Sequence, residues 1–89
     1  MSIVARFSCS TASVDQYDAV IRQTESWETE GLDYHVAFLV DGKLRVSEIW
    51  DSREQFDAML PRLMPVLAEN GVTLDGEPEI YEVVKIVKR

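Results

Sequence analysis

Eighty-nine residues, 46% of them hydrophobic, are enough for one domain with a modest core and too apolar for a disordered chain. Sixteen acids against nine bases give a net charge of −7. That balance argues against a nucleic-acid or anionic-membrane surface, since neither phosphates nor acidic headgroups would be neutralised. A single cysteine, Cys9, rules out an internal disulfide, and its plainest role is that of a small apolar residue. No secretory pattern opens the chain and no apolar run approaches about 18 residues, so the expectation is one cytoplasmic domain spanning residues 1–89.

In chain order, Ile3 to Cys9 is rich in β-formers and reads as a strand. Ser13 followed by Gln16 makes a capping-box pattern. Tyr17, Val20, Ile21, Thr24 and Trp27 then recur at helical spacing, which predicts a helix to about Glu28, closed by Gly31. Asp41–Gly42 between two apolar runs is a strong hairpin signal. A two-residue loop pairs Val40 with Lys43, and counting outward sets Leu39 opposite Leu44, Ala37 opposite Val46, His35 opposite Glu48 and Asp33 opposite Trp50. Ser52 with Gln55 repeats the capping pattern ahead of a second helical stripe. Pro61 and Pro65 lie inside that stripe and predict a kink or a break. Glu79 to Lys88 reads as the last strand. The order β-α-β-β-α-β is ferredoxin-like: an α+β fold with a four-stranded antiparallel sheet and two helices on one face.

Both faces of the hairpin are apolar. Leu39, Ala37, Leu44 and Val46 occupy one, and Tyr34, Val36, Phe38, Val40 and Ile49 the other. Two helices cover one face only. The other would expose several hundred square ångströms of apolar surface, more than a soluble monomer ordinarily leaves wet. A two-fold homodimer with sheets packed face to face is therefore expected, closing into an α+β barrel.

The stretch GLDYHVAFLVDGKLRVSEIWDSREQFDAML, followed by PVLAENG, resembles the dimeric α+β barrel superfamily, and within it the small proteins of the antibiotic-biosynthesis-monooxygenase-like group. The similarity runs over nearly the whole chain. It implies the barrel dimer and places the chain among cofactor-independent oxygenases acting on polyketide quinols, haem-degrading enzymes, lactone isomerases and members without known activity. The haem degraders carry a histidine on the second helix and an asparagine on the first strand. This chain has neither, so that activity is not carried over.

His35, the only histidine, and Glu48 fall opposite each other on one face, where opposed Cβ atoms are about 4.5–5.5 Å apart. A carboxylate beside an imidazole fixes its tautomer and prepares it as a general base, suited to removing a phenolic or α-carbonyl proton. His35 and Glu48 are thus the candidate catalytic pair. The plainer reading is a buried pair that only satisfies its own hydrogen bonds. Trp50, Ala37, Val46 and Leu39 share that face and are candidate ligand contacts if it lines the barrel interior, though Trp50 also suits an ordinary core. Arg6 and, less readily, Arg45 are candidates for an anionic group on the ligand, against the plainer reading of surface ion pairs. Tyr17, Tyr34 and Tyr81 could present hydroxyls, with helix–sheet packing the simpler role for Tyr17 and Tyr34. One histidine and no dense carboxylate cluster make a zinc site unexpected. No phosphate loop, G-x-S-x-G or CxxC is present. The expectation is a homodimer that binds a small apolar or aromatic molecule without a cofactor, either turning it over as a monooxygenase-like enzyme or simply sequestering it.

Overall fold

A computed structural model describes all of residues 1–89. The elements are β1 (Ile3–Thr11), α1 (Val14–Thr24), β2 (Leu32–Val40), β3 (Lys43–Trp50), α2 (Arg53–Glu69), β4 (Thr73–Leu74) and β5 (Glu79–Glu82). The sheet is antiparallel throughout, in the order β2-β3-β1-β4, with β5 also pairing β1. β4 meets Cys9 and Thr11, while β5 meets Ile3 to Arg6, so two short strands share the fourth position along one edge of β1. This is the expected α+β, ferredoxin-like arrangement. No helix is long and apolar enough to cross a membrane.

The hairpin forms as the turn chemistry requires. Asp41 (φ 51°) and Gly42 (φ 77°) both take positive φ, the primed turn whose twist matches its flanking strands. Val40 pairs with Lys43, Ala37 with Val46 and His35 with Glu48. The outermost pair departs from the count. Leu32, not Asp33, lies opposite Trp50, because a bulge intervenes before Tyr34. Regular alternation would set an unpaired carboxylate over an indole that is 1% exposed. The bulge expels Asp33 to solvent and turns the apolar Leu32 inward instead.

The helices also depart in part from expectation. The Ser13 hydroxyl accepts from the Gln16 amide (3.2 Å), and the Gln16 side chain accepts from the Ser13 amide (2.7 Å), completing the capping box of α1. α1 stops at Thr24 rather than running to Glu28. The Thr24 hydroxyl donates back to the Val20 carbonyl at 3.0 Å, and the Trp27 amide closes a turn on Thr24. Trp27 thereby leaves the helix. α2 is one continuous helix through Pro61 and Pro65, so of the kink or break expected there, the break does not occur. Both prolines are exposed and four residues apart, which sets the missing hydrogen bonds on the solvent side of the helix, where they cost least. The last strand covers only Glu79–Glu82 of the expected Glu79–Lys88. Glu82 is opposite Ile3 and the Val83 amide bonds Ser2, so β1 offers no further residues for Val84 onward to pair with.

Both helices pack on the same sheet face. Ile3, Ala5 and Phe7 of β1 and Val46 and Trp50 of β3 join Phe56 and Met59 of α2 in one buried cluster. Cys9, Val20, Leu44, Leu67 and Val72 form a second. The opposite face has no helix. Register sets Val4, Ile49, Tyr34 and Val36 there, with Val36 54%, Val40 41% and Tyr81 50% exposed.

Candidate functional site

The residues on the helix-side face of β3 are inward because strand side chains alternate: Leu44, Val46, Glu48 and Trp50 are all buried. Glu48 is the only buried charged residue of the chain, at 6% exposure. A carboxylate there must be hydrogen-bonded, and it is bonded on both oxygens. His35 Nδ1 lies 2.7 Å from Oε2, and the Trp50 indole N–H donates to Oε1 at 3.1 Å. The other imidazole nitrogen, Nε2, is 2.6 Å from the Tyr17 hydroxyl, and the Tyr17 and His35 rings stack with centroids 5.9 Å apart. Four side chains thus form one line, Tyr17–His35–Glu48–Trp50, running from a partly exposed phenol to a fully buried indole.

The donors and acceptors of this line have one self-consistent assignment for the neutral imidazole. Glu48, ionised, accepts from both nitrogen donors, so the ring proton is on Nδ1 and Nε2 accepts from the Tyr17 O–H. Tyr17 is held as a phenol. Burial raises its pKa above the usual value, and the nearby charges of Asp18 and Glu48 push in the same direction. A group whose pKa is higher folded than unfolded stabilises the fold while protonated. The Tyr17 contribution is therefore present at neutral pH and is lost only as pH climbs through the raised value.

This line forms the polar part of a cavity of about 260 Å3 between α1, α2 and the sheet. Tyr17, Val20, Ile21 and Thr24 wall it from α1, which is the stripe that the helical spacing marked out, apart from Trp27. Trp27 closes it beyond the end of that helix and is held by the Arg62 guanidinium, 4.5 Å from its ring centroid. Met59, Leu63 and Leu67 contribute from α2. His35 keeps 29% side-chain exposure, so the imidazole stands between the cavity and water.

Of the residues singled out in the sequence, His35, Glu48, Trp50 and Val46 line this cavity. Ala37 lies beneath, packed on the core, and Leu39 is 57% exposed near the hairpin tip; neither reaches the wall. Arg6 is exposed on the opposite sheet face, between Ser47 and Glu79, and does not line this cavity. Arg45 shares that opposite face through its register with Ser8 and Phe38. Cys9 does reach the cavity, but burial raises its thiol pKa despite Arg45, so it is not a thiolate nucleophile. The cavity itself is not where the sheet pairing suggested. It lies inside one chain, beneath its own helices, rather than between the sheets of two copies. Tyr17, for which helix–sheet packing is the simpler reading in the sequence, also turns its hydroxyl into the cavity, where it meets His35. No three His, Cys, Asp or Glu side chains converge to hold a metal ion.

No protein-family model matches the chain, and no curated protein matches it either. Solved structures do match. SnoaB, a cofactor-independent oxygenase from Streptomyces nogalater, is 16% identical with a TM-score of 0.65 over 99% of this chain and 96% of its own. MhuD, a haem degrader from Mycobacterium tuberculosis solved with two haems in its active site, is 17% identical with a TM-score of 0.63 over 97% and 99%. A Chloroflexus aurantiacus chain classed with the antibiotic biosynthesis monooxygenases is 19% identical with a TM-score of 0.59 over 99% and 94%. Identities this low speak to architecture rather than chemistry, and on that evidence the chain has the ferredoxin-like fold of the antibiotic-biosynthesis-monooxygenase-like proteins.

Proposed function

We propose that the protein is a homodimer that binds a small apolar or aromatic molecule in the cavity of each subunit and oxidises it with dioxygen, as a cofactor-independent monooxygenase-like enzyme of the cytoplasm. The observation that carries this reading is the His35–Glu48 pair at 2.7 Å on the wall of an otherwise apolar cavity. Glu48 holds the imidazole by Nδ1 and stabilises the imidazolium that forms when Nε2 takes a proton. Nε2 removes a proton from a carbon activated by a neighbouring phenol or carbonyl, with Tyr17 swinging aside or passing the proton on. The resulting carbanion is electron-rich enough to react with dioxygen directly. A C–O bond forms, the peroxide takes its proton back from His35, and loss of water turns the CH2 group into a carbonyl. The overall change, CH2 + O2 to C=O + H2O, balances without a cofactor. Trp50 supplies the buried edge of the site and keeps Glu48 oriented.

The uncovered sheet face, where Val36, Val40 and Tyr81 stand exposed, supports the homodimer. At roughly 25 cal/mol per Å2, leaving a few hundred Å2 of such surface wet forgoes several kcal/mol, so light scattering is expected to give twice the mass of one chain. The catalytic reading is tested by oxygen uptake with a panel of hydroquinones and anthrones. Uptake well above background is expected, falling about a hundredfold or more in His35→Ala. Background-level uptake across the panel removes the oxygenase.

A binding module without turnover is favoured by one specific feature. Both nitrogens of His35 are engaged within the chain, the outer one by Tyr17 at 2.6 Å. A base already satisfied in this way suits a receptor. Native mass spectrometry separates the two readings: a ligand recovered intact in aerobic solution supports sequestration, and an oxidised one supports turnover.

A further inference from the structure

The charge inventory of the cavity wall is one-sided. Fifteen of its twenty residues are hydrophobic, two are the carboxylates Glu25 and Glu48, and no lysine or arginine is among them. Arg62 stacks on the Trp27 ring without reaching the wall, and Arg6 and Arg45 are on the other side of the sheet. An anionic ligand would lose its hydration, find no lysine or arginine, and lie beside a buried carboxylate that already holds His35. At the polar end Glu48 is 6% exposed and already bonded on both oxygens, and the half-buried Tyr17 is the hydroxyl that keeps capacity to spare. Its O–H is committed to His35 Nε2, which leaves a lone pair on the phenol oxygen for a donor from the ligand. The volume sets a further limit. A cavity of about 150 Å3 holds benzene, so about 260 Å3 suits one or two rings.

We propose that the cavity selects uncharged one- or two-ring molecules bearing a hydroxyl, that Tyr17 is the residue that receives that hydroxyl, and that carboxylated counterparts are rejected. The inference rests on the reading of this cavity as a ligand site and does not require turnover. It specifies the ligand by chemistry: an O–H donor in place of any acidic group. Tyr17 is then a specificity determinant, set at the point where a bound hydroxyl would join the line to His35 and Glu48.

Isothermal titration of the dimer with 2-naphthol and with 2-naphthoate at neutral pH tests this on one ring skeleton. 2-Naphthol, uncharged there, is expected to bind at least about tenfold more tightly than 2-naphthoate. In Tyr17→Phe, the affinity for 2-naphthol is expected to fall about three- to tenfold, with that for 2-naphthoate unchanged. The wild-type comparison stands even if the variant folds poorly. Equal or tighter binding of 2-naphthoate overturns the selectivity while leaving the cavity as a ligand site. Equal weakening of both ligands in Tyr17→Phe overturns the role of Tyr17. Binding of neither ligand at millimolar concentration overturns the proposal and the ligand site together.

Discussion

Trp50→Ala is expected to destabilise the protein by about 3–5 kcal/mol, a large share of the roughly 5–15 kcal/mol available to a domain of this kind. The indole is 1% exposed and meets the Phe56 ring edge-on, with centroids 5.9 Å apart. Phe56 in turn packs on Phe7 at the same separation, so the aromatic contacts link β3, α2 and β1. Truncation leaves a cavity at the centre of that cluster. It also strips Glu48 Oε1 of its indole donor, which adds a polar penalty to the lost packing. Urea denaturation measures the effect directly. A loss below about 1 kcal/mol would show that the cluster is not the main core. Trp50→Phe, which keeps most of the volume and drops the N–H, is expected to lose much less.

His35→Ala is expected to cost about 3 kcal/mol, far more than a partly exposed imidazole would contribute through packing alone. The reason lies in the partner. Glu48 is 6% exposed, and without Nδ1–H its Oε2 faces an apolar cavity unpaired. Pairing His35→Ala with Glu48→Gln removes the buried charge, so the double variant is expected to be more stable than His35→Ala alone. A double-mutant cycle reads this coupling without assuming how the two residues divide it. Coupling near zero would mean that the pair is too hydrated to matter to the fold.

Much of this was legible in the chain because turn chemistry and strand period are local. Asp41–Gly42 determines its own loop length, and everything from Val40/Lys43 out to His35/Glu48 follows by counting. The pairing of the lone histidine with the buried acid therefore needed no tertiary information. What failed depended on tertiary context. The bulge at Asp33 reflects the environment of Trp50, which strand alternation does not carry. The continuity of α2 depends on Pro61 and Pro65 facing water, where their lost hydrogen bonds cost least. The short β5 is limited by the length of its partner, β1, and not by its own β-rich sequence. The location of the cavity was missed because apolarity on both sheet faces does not say which face the helices choose. The pairing of Tyr17 with His35 is hidden for a related reason. Periodicity marks its face of α1, but its meeting with His35 depends on how α1 sits over the sheet.

The proposed chemistry depends on a single imidazole whose two nitrogens have different partners. Because the chain has one histidine, nitrogen NMR of the 15N-labelled ring gives one unambiguous pair of signals. The expected result is that the neutral form of the ring carries its proton on Nδ1, with the Nε2 signal shifting as 2-naphthol is added while Nδ1–H stays bonded to Glu48. A ring protonated at Nε2, or an Nε2 signal that stays put while the ligand binds, would contradict the assignment of His35 as the base of this cavity.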